Sequence, residues 1–101
     1  MQLIQILLPL ADNDGIAFPD SVFRDIQSEL AARFGGVTAF SRAPAKGIWS
    51  REGERQHDDI IVVEVMAETL DQGWWRQFRL RLQQMLRQEL IIVRAQPSQL
   101  L

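Results

Sequence analysis

The chain contains no cysteine. Disulfide scaffolds, thiolate zinc centres and cysteine nucleophiles are excluded together, and the composition suits a reducing cytoplasm. Long apolar runs are missing as well. The N-terminal stretch Leu3 to Leu8 is interrupted by Gln5 and ends at Pro9, far short of the roughly 20 residues a membrane span requires. With no basic flank and no small-residue cleavage site, it reads as a strand and not as a signal peptide. Basic charge is scarce too. Eleven Lys and Arg stand against 13 Asp and Glu, for a net charge of −2. A general nucleic-acid binder carries a basic footprint, and this chain has none.

What is present is the balance of a folded domain: 101 residues, 47% hydrophobic and 24% charged. That suffices for one core. Residues 1–96 are expected to form a single domain and residues 97–101 a mobile tail.

Residues 3–8 are expected to form the first strand, followed by turn formers at Asp12-Asn13-Asp14-Gly15. That cluster resembles the start of a calcium loop, but the required closing glutamate is replaced by Phe23. The first helix starts near Phe18-Pro19, with Pro19 at its first position. Phe23, Ile26, Leu30 and Phe34 fall on one helical stripe, and Gly35-Gly36 ends it. Val37 to Ser41 reads as a short strand that returns near Ile48-Trp49, and Ser50 to Asp59 as an exposed loop or hairpin tip. Ile60 to Ala67 is β-branched and alternates around Glu64, the pattern of a central strand. Thr69, with Gln72 three residues on, predicts a capping box for the second helix. Trp75, Phe78, Leu82, Met85 and Leu86 make its buried stripe, and Leu90 to Ala95 the last strand.

The order strand, helix, strand, strand, helix, strand predicts an α+β fold, a βαββαβ ferredoxin-like sandwich. It has a four-stranded antiparallel sheet with both helices on one face. The first and third strands lie centrally, with the fourth beside the first and the second beside the third. The period of two then assigns the faces. Ile4, Ile6, Leu8, Ile61, Val63, Val65, Ile91, Val93 and Ala95 point to the helices. Leu3, Gln5, Leu7, Ile60, Val62, Glu64, Met66, Ile92 and Arg94 point away. That outer set is too apolar for a monomer to leave bare, and a second copy of the chain covers it with one self-complementary patch.

Phe34-Gly35-Gly36-Val37-Thr38, Gly47-Ile48-Trp49 and Ile61-Val62-Val63-Glu64-Val65 together resemble a loose group of small bacterial α/β proteins of about this length, over most of the chain. The resemblance implies the same ferredoxin-like fold. The group has no established activity, so no catalytic residue is carried over.

The candidate site residues fall into three sets. Gln5, Glu64 and Arg94 lie on adjacent strands of the outer face, as a ligand anchor with Glu64 as acid or base, or as a structural row that fixes register. His57, beside Asp58 and Asp59, is a second candidate acid or base. As a loop triplet it lacks the converging ligands of a metal site, so no metal is expected. Trp49 and Trp74 are candidate pocket or interface aromatics, whereas Trp75 reads as core. The arginines of the second helix form a solvated face.

The sequence therefore predicts a non-enzymatic homodimer whose outer face, with Val62 at its centre, is a subunit interface or a small-ligand site. No cofactor, nucleic acid or membrane partner is expected. The alternative is a dimeric α/β-barrel enzyme acting on a hydrophobic or aromatic compound. Its cavity would lie between sheet and helices, lined by Trp49 and Trp74 and served by His57 or Glu64.

Overall fold

Alternation in the strands and a 3.6-residue stripe in the helices leave each element one apolar side, and burying those sides together dictates two layers. The computed structural model describes the backbone of residues 1–51 and 54–101 and the side chains of residues 1–39 and 60–101. Its elements run β1 (Gln2–Pro9), α1 (Asp20–Phe34), β2 (Thr38–Arg51), β3 (Glu54–Ala67), α2 (Gln72–Met85) and β4 (Ile92–Pro97). The strands form one antiparallel sheet in the order β2-β3-β1-β4. This is the ferredoxin-like sandwich that the order of elements predicts.

Ile4, Ile6 and Leu8 of β1 and Ile61, Val63 and Val65 of β3 are buried against Phe23, Ile26 and Leu30 of α1 and Trp75, Phe78 and Leu82 of α2. No polar or charged side chain joins this core among the described residues. Its stability comes from apolar burial at about 25 cal/mol per Å². Phe34 stacks on Trp75, their centroids 5.2 Å apart, and Trp74 on Phe78 at 5.0 Å. These aromatics close the core where α1 and α2 meet. Arg81 and Glu29 pair across the two helices. That hydrogen bond holds the Arg81 guanidinium pKa above its usual value.

Local chemistry sets the ends of the elements. The Asp12 carboxylate accepts from the backbone N–H groups of Asp14 and Ile16, each at 2.9 Å. This makes the expected turn an Asx-type turn, with Gly15 at φ 80°. Pro19 is the N-cap of α1 and not its first helical residue. Gly35 closes the helix at φ 80°, donating its N–H to Ala31. α2 starts two residues later than the Thr69 reading, because Asp71 takes the cap and accepts from the Trp74 N–H at 3.0 Å. Asp71 stands three residues before Trp74, the spacing that brings a carboxylate onto a free helical donor.

Three other expectations change. Met85, read as part of the buried stripe, is half exposed because α2 ends there and the cap at Leu86 takes the buried position. Ala95 faces the helix side but is exposed, because α2 stands away from the edge strand. The third change concerns β2 and β3, which are longer than expected. They pair from Ala45↔Ile60 out to Arg51↔Glu54, beyond a register shift between Phe40 and Ala45. Much of the stretch read as a loop is thus the arms of a hairpin. At the other end, β4 reaches Pro97, and the Ser98 N–H donates to the Met1 carbonyl at 2.9 Å.

Candidate functional site

The face of the sheet turned away from the helices is built in rows. Antiparallel register places Val62, Leu7 and Ile92 side by side on β3, β1 and β4. Met66, Leu3 and Gln96 form another such row, and Pro9 lies opposite Ile60. Leu3, Leu7, Ile60, Val62 and Met66 are partly exposed, and Ile92 is 46% exposed. No element of the chain lies over this face among the described residues.

Between the apolar rows runs a polar one. Register sets Thr38, Glu64, Gln5 and Arg94 in line across all four strands. The Gln5 amide donates through Nε2 to Glu64 Oε2 at 2.7 Å. Its Oε1 accepts from Arg94 Nε at 2.8 Å. Gln5 is thus a neutral bridge between an acid on one side and a base on the other. Both bonds have one charged partner and are therefore stronger than bonds between neutral groups. The formal charges of Glu64 and Arg94 cancel. Such a row discriminates between registers, because a slip of one residue would take all of these groups to the other face.

Gln5, Val62, Glu64 and Arg94 therefore share one surface. Trp74 does not. It sits in the helical layer with its ring nearly perpendicular to those of Phe34 and Trp75 and the Arg33 guanidinium 4.3 Å over its ring. Trp49 and His57 have their backbones in the β2–β3 hairpin, and their side chains lie outside the described residues. Thr38 joins the polar row although its residue type gave no reason to single it out. Only its pairing with Glu64 reveals it.

A cavity of about 320 Å³ does lie between sheet and helices, at the edge where α2 faces β4. Neither Trp74 nor Glu64 is among its lining residues, so it is not the cavity expected of a barrel enzyme. Among the described residues no three His, Asp or Glu side chains converge as metal ligands. No helix among them is long and apolar enough to cross a membrane.

No protein-family model matches the chain, and no curated protein is similar to it in sequence. Solved structures are similar in shape. A phage SAM lyase in complex with S-methyl-5'-thioadenosine superposes with a TM-score of 0.63 at 17% identity, over 94% of this chain and 79% of that one. The divalent cation tolerance protein Cut A1 from Thermus thermophilus gives 0.61 at 17% identity, over 97% and 84%. The phage SAM lyase in its apo state gives 0.58 at 16%, over 94% and 78%. At these identities the likeness shows the ferredoxin-like fold alone.

Proposed function

We infer that this chain is a non-enzymatic self-associating domain, a homodimer whose outer sheet face is the subunit interface. The apolar rows on either side of the Thr38–Glu64–Gln5–Arg94 line carry this reading, since nothing in the chain covers them among the described residues. Eight paired residues on each of β1 and β3, six on β4 and three on β2 before its register shift, at about 3.3 Å rise and about 4.8 Å between strands, give a flat footprint of roughly 400 Å². Two copies would bury about twice that, roughly 800 Å² of flat area before side-chain relief is counted, which is the size of a weak, concentration-dependent interface. A twofold axis at Gln5 suits the polar row because Glu64 and Arg94 flank it with opposite charges. Laid antiparallel on itself, the row brings Glu64 of one copy toward Arg94 of the other. The absence of cysteine fits a protein working in the reducing cytoplasm.

Sedimentation of the wild-type chain tests the reading. Assembly that persists at low micromolar concentration is expected. Val62→Lys, which sets a charge in the central apolar row, is expected to leave a folded monomer. A wild-type monomer at every concentration, or assembly untouched by Val62→Lys, would refute the interface.

The second reading is a small dimeric enzyme, and the phage SAM lyase likeness favours it, since a chain of this fold there holds S-methyl-5'-thioadenosine. Under this reading the polar row meets a ligand instead of a subunit. Addition of S-methyl-5'-thioadenosine should then raise the melting temperature of the wild type and not of Glu64→Gln. Equal melting curves with and without it remove this reading.

A further inference from the structure

The sheet has three open edges, and they are not alike. The free edge of β2 is broken by the register shift between Phe40 and Ala45, a stretch that includes Pro44. A bulge or a proline keeps further strands off an edge. The other two edges have no such guard. β4 runs from Ile92 to Pro97 without a shift and is paired on one side only, with β1. β3 pairs with β1 as far as Pro9↔Ile60. Its arm from Glu54 to Asp59 therefore passes the end of β1, with β2 on one side and no strand on the other among the described residues.

Register fixes which backbone groups these two edges present. The Ser98 N–H donates to the Met1 carbonyl, and hydrogen-bonded pairs alternate along an antiparallel ladder. Even-numbered residues of β4 therefore bond to β1, while Val93 and Ala95 turn their N–H and C=O groups outward. Pro97 falls in the same outward set, where a missing N–H breaks no ladder bond. The same alternation carried across β1 sends the backbone groups of Ile61, Val63 and Val65 toward β1. Continued along the arm, it turns those of Arg55, His57 and Asp59 to the open side.

Unpaired edges of this kind are templates for another strand. A second β4 is a poor match. Arg76 and Arg94 border the recess beside β4 and no acid borders it, so two such edges would set arginine against arginine. The arm is a better one. It reads Glu-Arg-Gln-His-Asp-Asp, three acids against one arginine, and opposite charges on neighbouring strands favour pairing. Topology agrees. β3 and β4 are both antiparallel to β1, so they run in the same direction. A twofold axis perpendicular to the sheet, just beyond the end of β1, reverses β4 of a second copy and sets it antiparallel to the arm of the first. The same operation lays the second arm along the first β4. The contact closes on two chains and does not grow into a fibre.

We propose that the β2–β3 hairpin is an exchange arm: Glu54 to Asp59 of one chain pairs antiparallel with β4 of a second chain, and the second arm does the same in return. Two sheets are thereby joined edge to edge, with all helices on one side. The outer faces stay open in this pair, so the contact goes beyond the outer-face interface and does not depend on it. It is small and mostly main chain, which places it among weak contacts, formed on the order of 100 μM and above.

Amide hydrogen exchange and sedimentation of the Val62→Lys chain, whose outer face is blocked, isolate this contact. A monomer at low micromolar concentration is expected to become a dimer at several hundred micromolar. The amides of Arg55, His57, Asp59, Val93 and Ala95 should then exchange about tenfold more slowly than in dilute protein. The wild-type chain should show the same slowing, whether or not its outer face is closed. Ala95→Pro removes one outward N–H and leaves the β1–β4 bonds in place, so it should fold and lose the slowing. Arg76→Glu, at an exposed helix position, leaves the backbone untouched and should weaken the dimer severalfold. The proposal is overturned if these amides exchange equally fast at both concentrations, or if Arg76→Glu associates as its parent does. Slowing at Val93 and Ala95 without slowing in the arm would mean that β4 pairs with β4, and would overturn it as well.

Discussion

Ile6 and Leu7 are neighbours on β1 and nearly equal in hydrophobicity, yet Ile6 is fully buried and Leu7 is only partly covered. The difference belongs to the two faces of the sheet and not to the residues. The inner face is closed by α1 and α2 of the same chain and holds no buried polar or charged residue among the described residues. The outer face has the same central strands, the same alternation and comparable apolar content. It differs in carrying a hydrogen-bonded polar row through its middle. A face meant only for the core gains nothing from such a row, whereas a face that must meet a partner in one orientation gains specificity from it.

Cutting back these two neighbours gives the largest expected contrast. Ile6→Ala should cost about 3 kcal/mol, the ordinary result of a cavity in a closed core. Leu7→Ala should cost about 1 kcal/mol or less in dilute protein, where water already reaches the site. In concentrated protein it should cost considerably more, because the assembly then loses its contact. Urea unfolding at two protein concentrations reads both. Equal costs for Leu7→Ala at high and low concentration would mean that the outer face meets nothing.

A smaller effect tests whether the helical layer is complete within one chain. Trp74 stacks on Phe78 and stands nearly perpendicular to Phe34 and Trp75, so Trp74→Ala should cost about 2 kcal/mol at every concentration. A loss confined to concentrated protein would instead assign Trp74 to an interface, as its residue type alone allowed.

The inner face was legible because burial imposes alternation, and alternation is written in the sequence. The same logic set Gln5, Glu64 and Arg94 on one face, and the strand order made them neighbours. Thr38 escaped because the register shift between Phe40 and Ala45 hides which residue of β2 meets Glu64. The hairpin arms escaped for a related reason. Beyond Ile60, β3 has no residue of β1 paired with it, and Glu54 to Asp59 contain no apolar residue from which a period could be read.

The cap of α2 sharpens the comparison at one helix end. Thr69 and Asp71 are both capping residues by type, and only Asp71 reaches the Trp74 N–H. Asp71→Ala should therefore lower stability by about 1 kcal/mol and Thr69→Ala by close to nothing, as read from thermal unfolding. The reverse order would move the start of α2.

The smallest expected effect bears directly on what the polar row is for. Gln5 must be neutral and two-sided. A carboxylate there would face Glu64, and an ammonium would face Arg94. Gln5→Met keeps the length of the side chain and removes both bonds. In dilute protein water replaces them, and the cost should be near zero. Within an assembly water is excluded, Glu64 and Arg94 lose their bridge, and the cost should rise to about 1 kcal/mol per chain. A chemically crosslinked dimer and a dilute monomer, unfolded side by side, separate the two cases. A cost that appears only when the outer faces are closed on each other assigns the row to the interface. A cost of the same size in both states assigns it to strand register within one sheet.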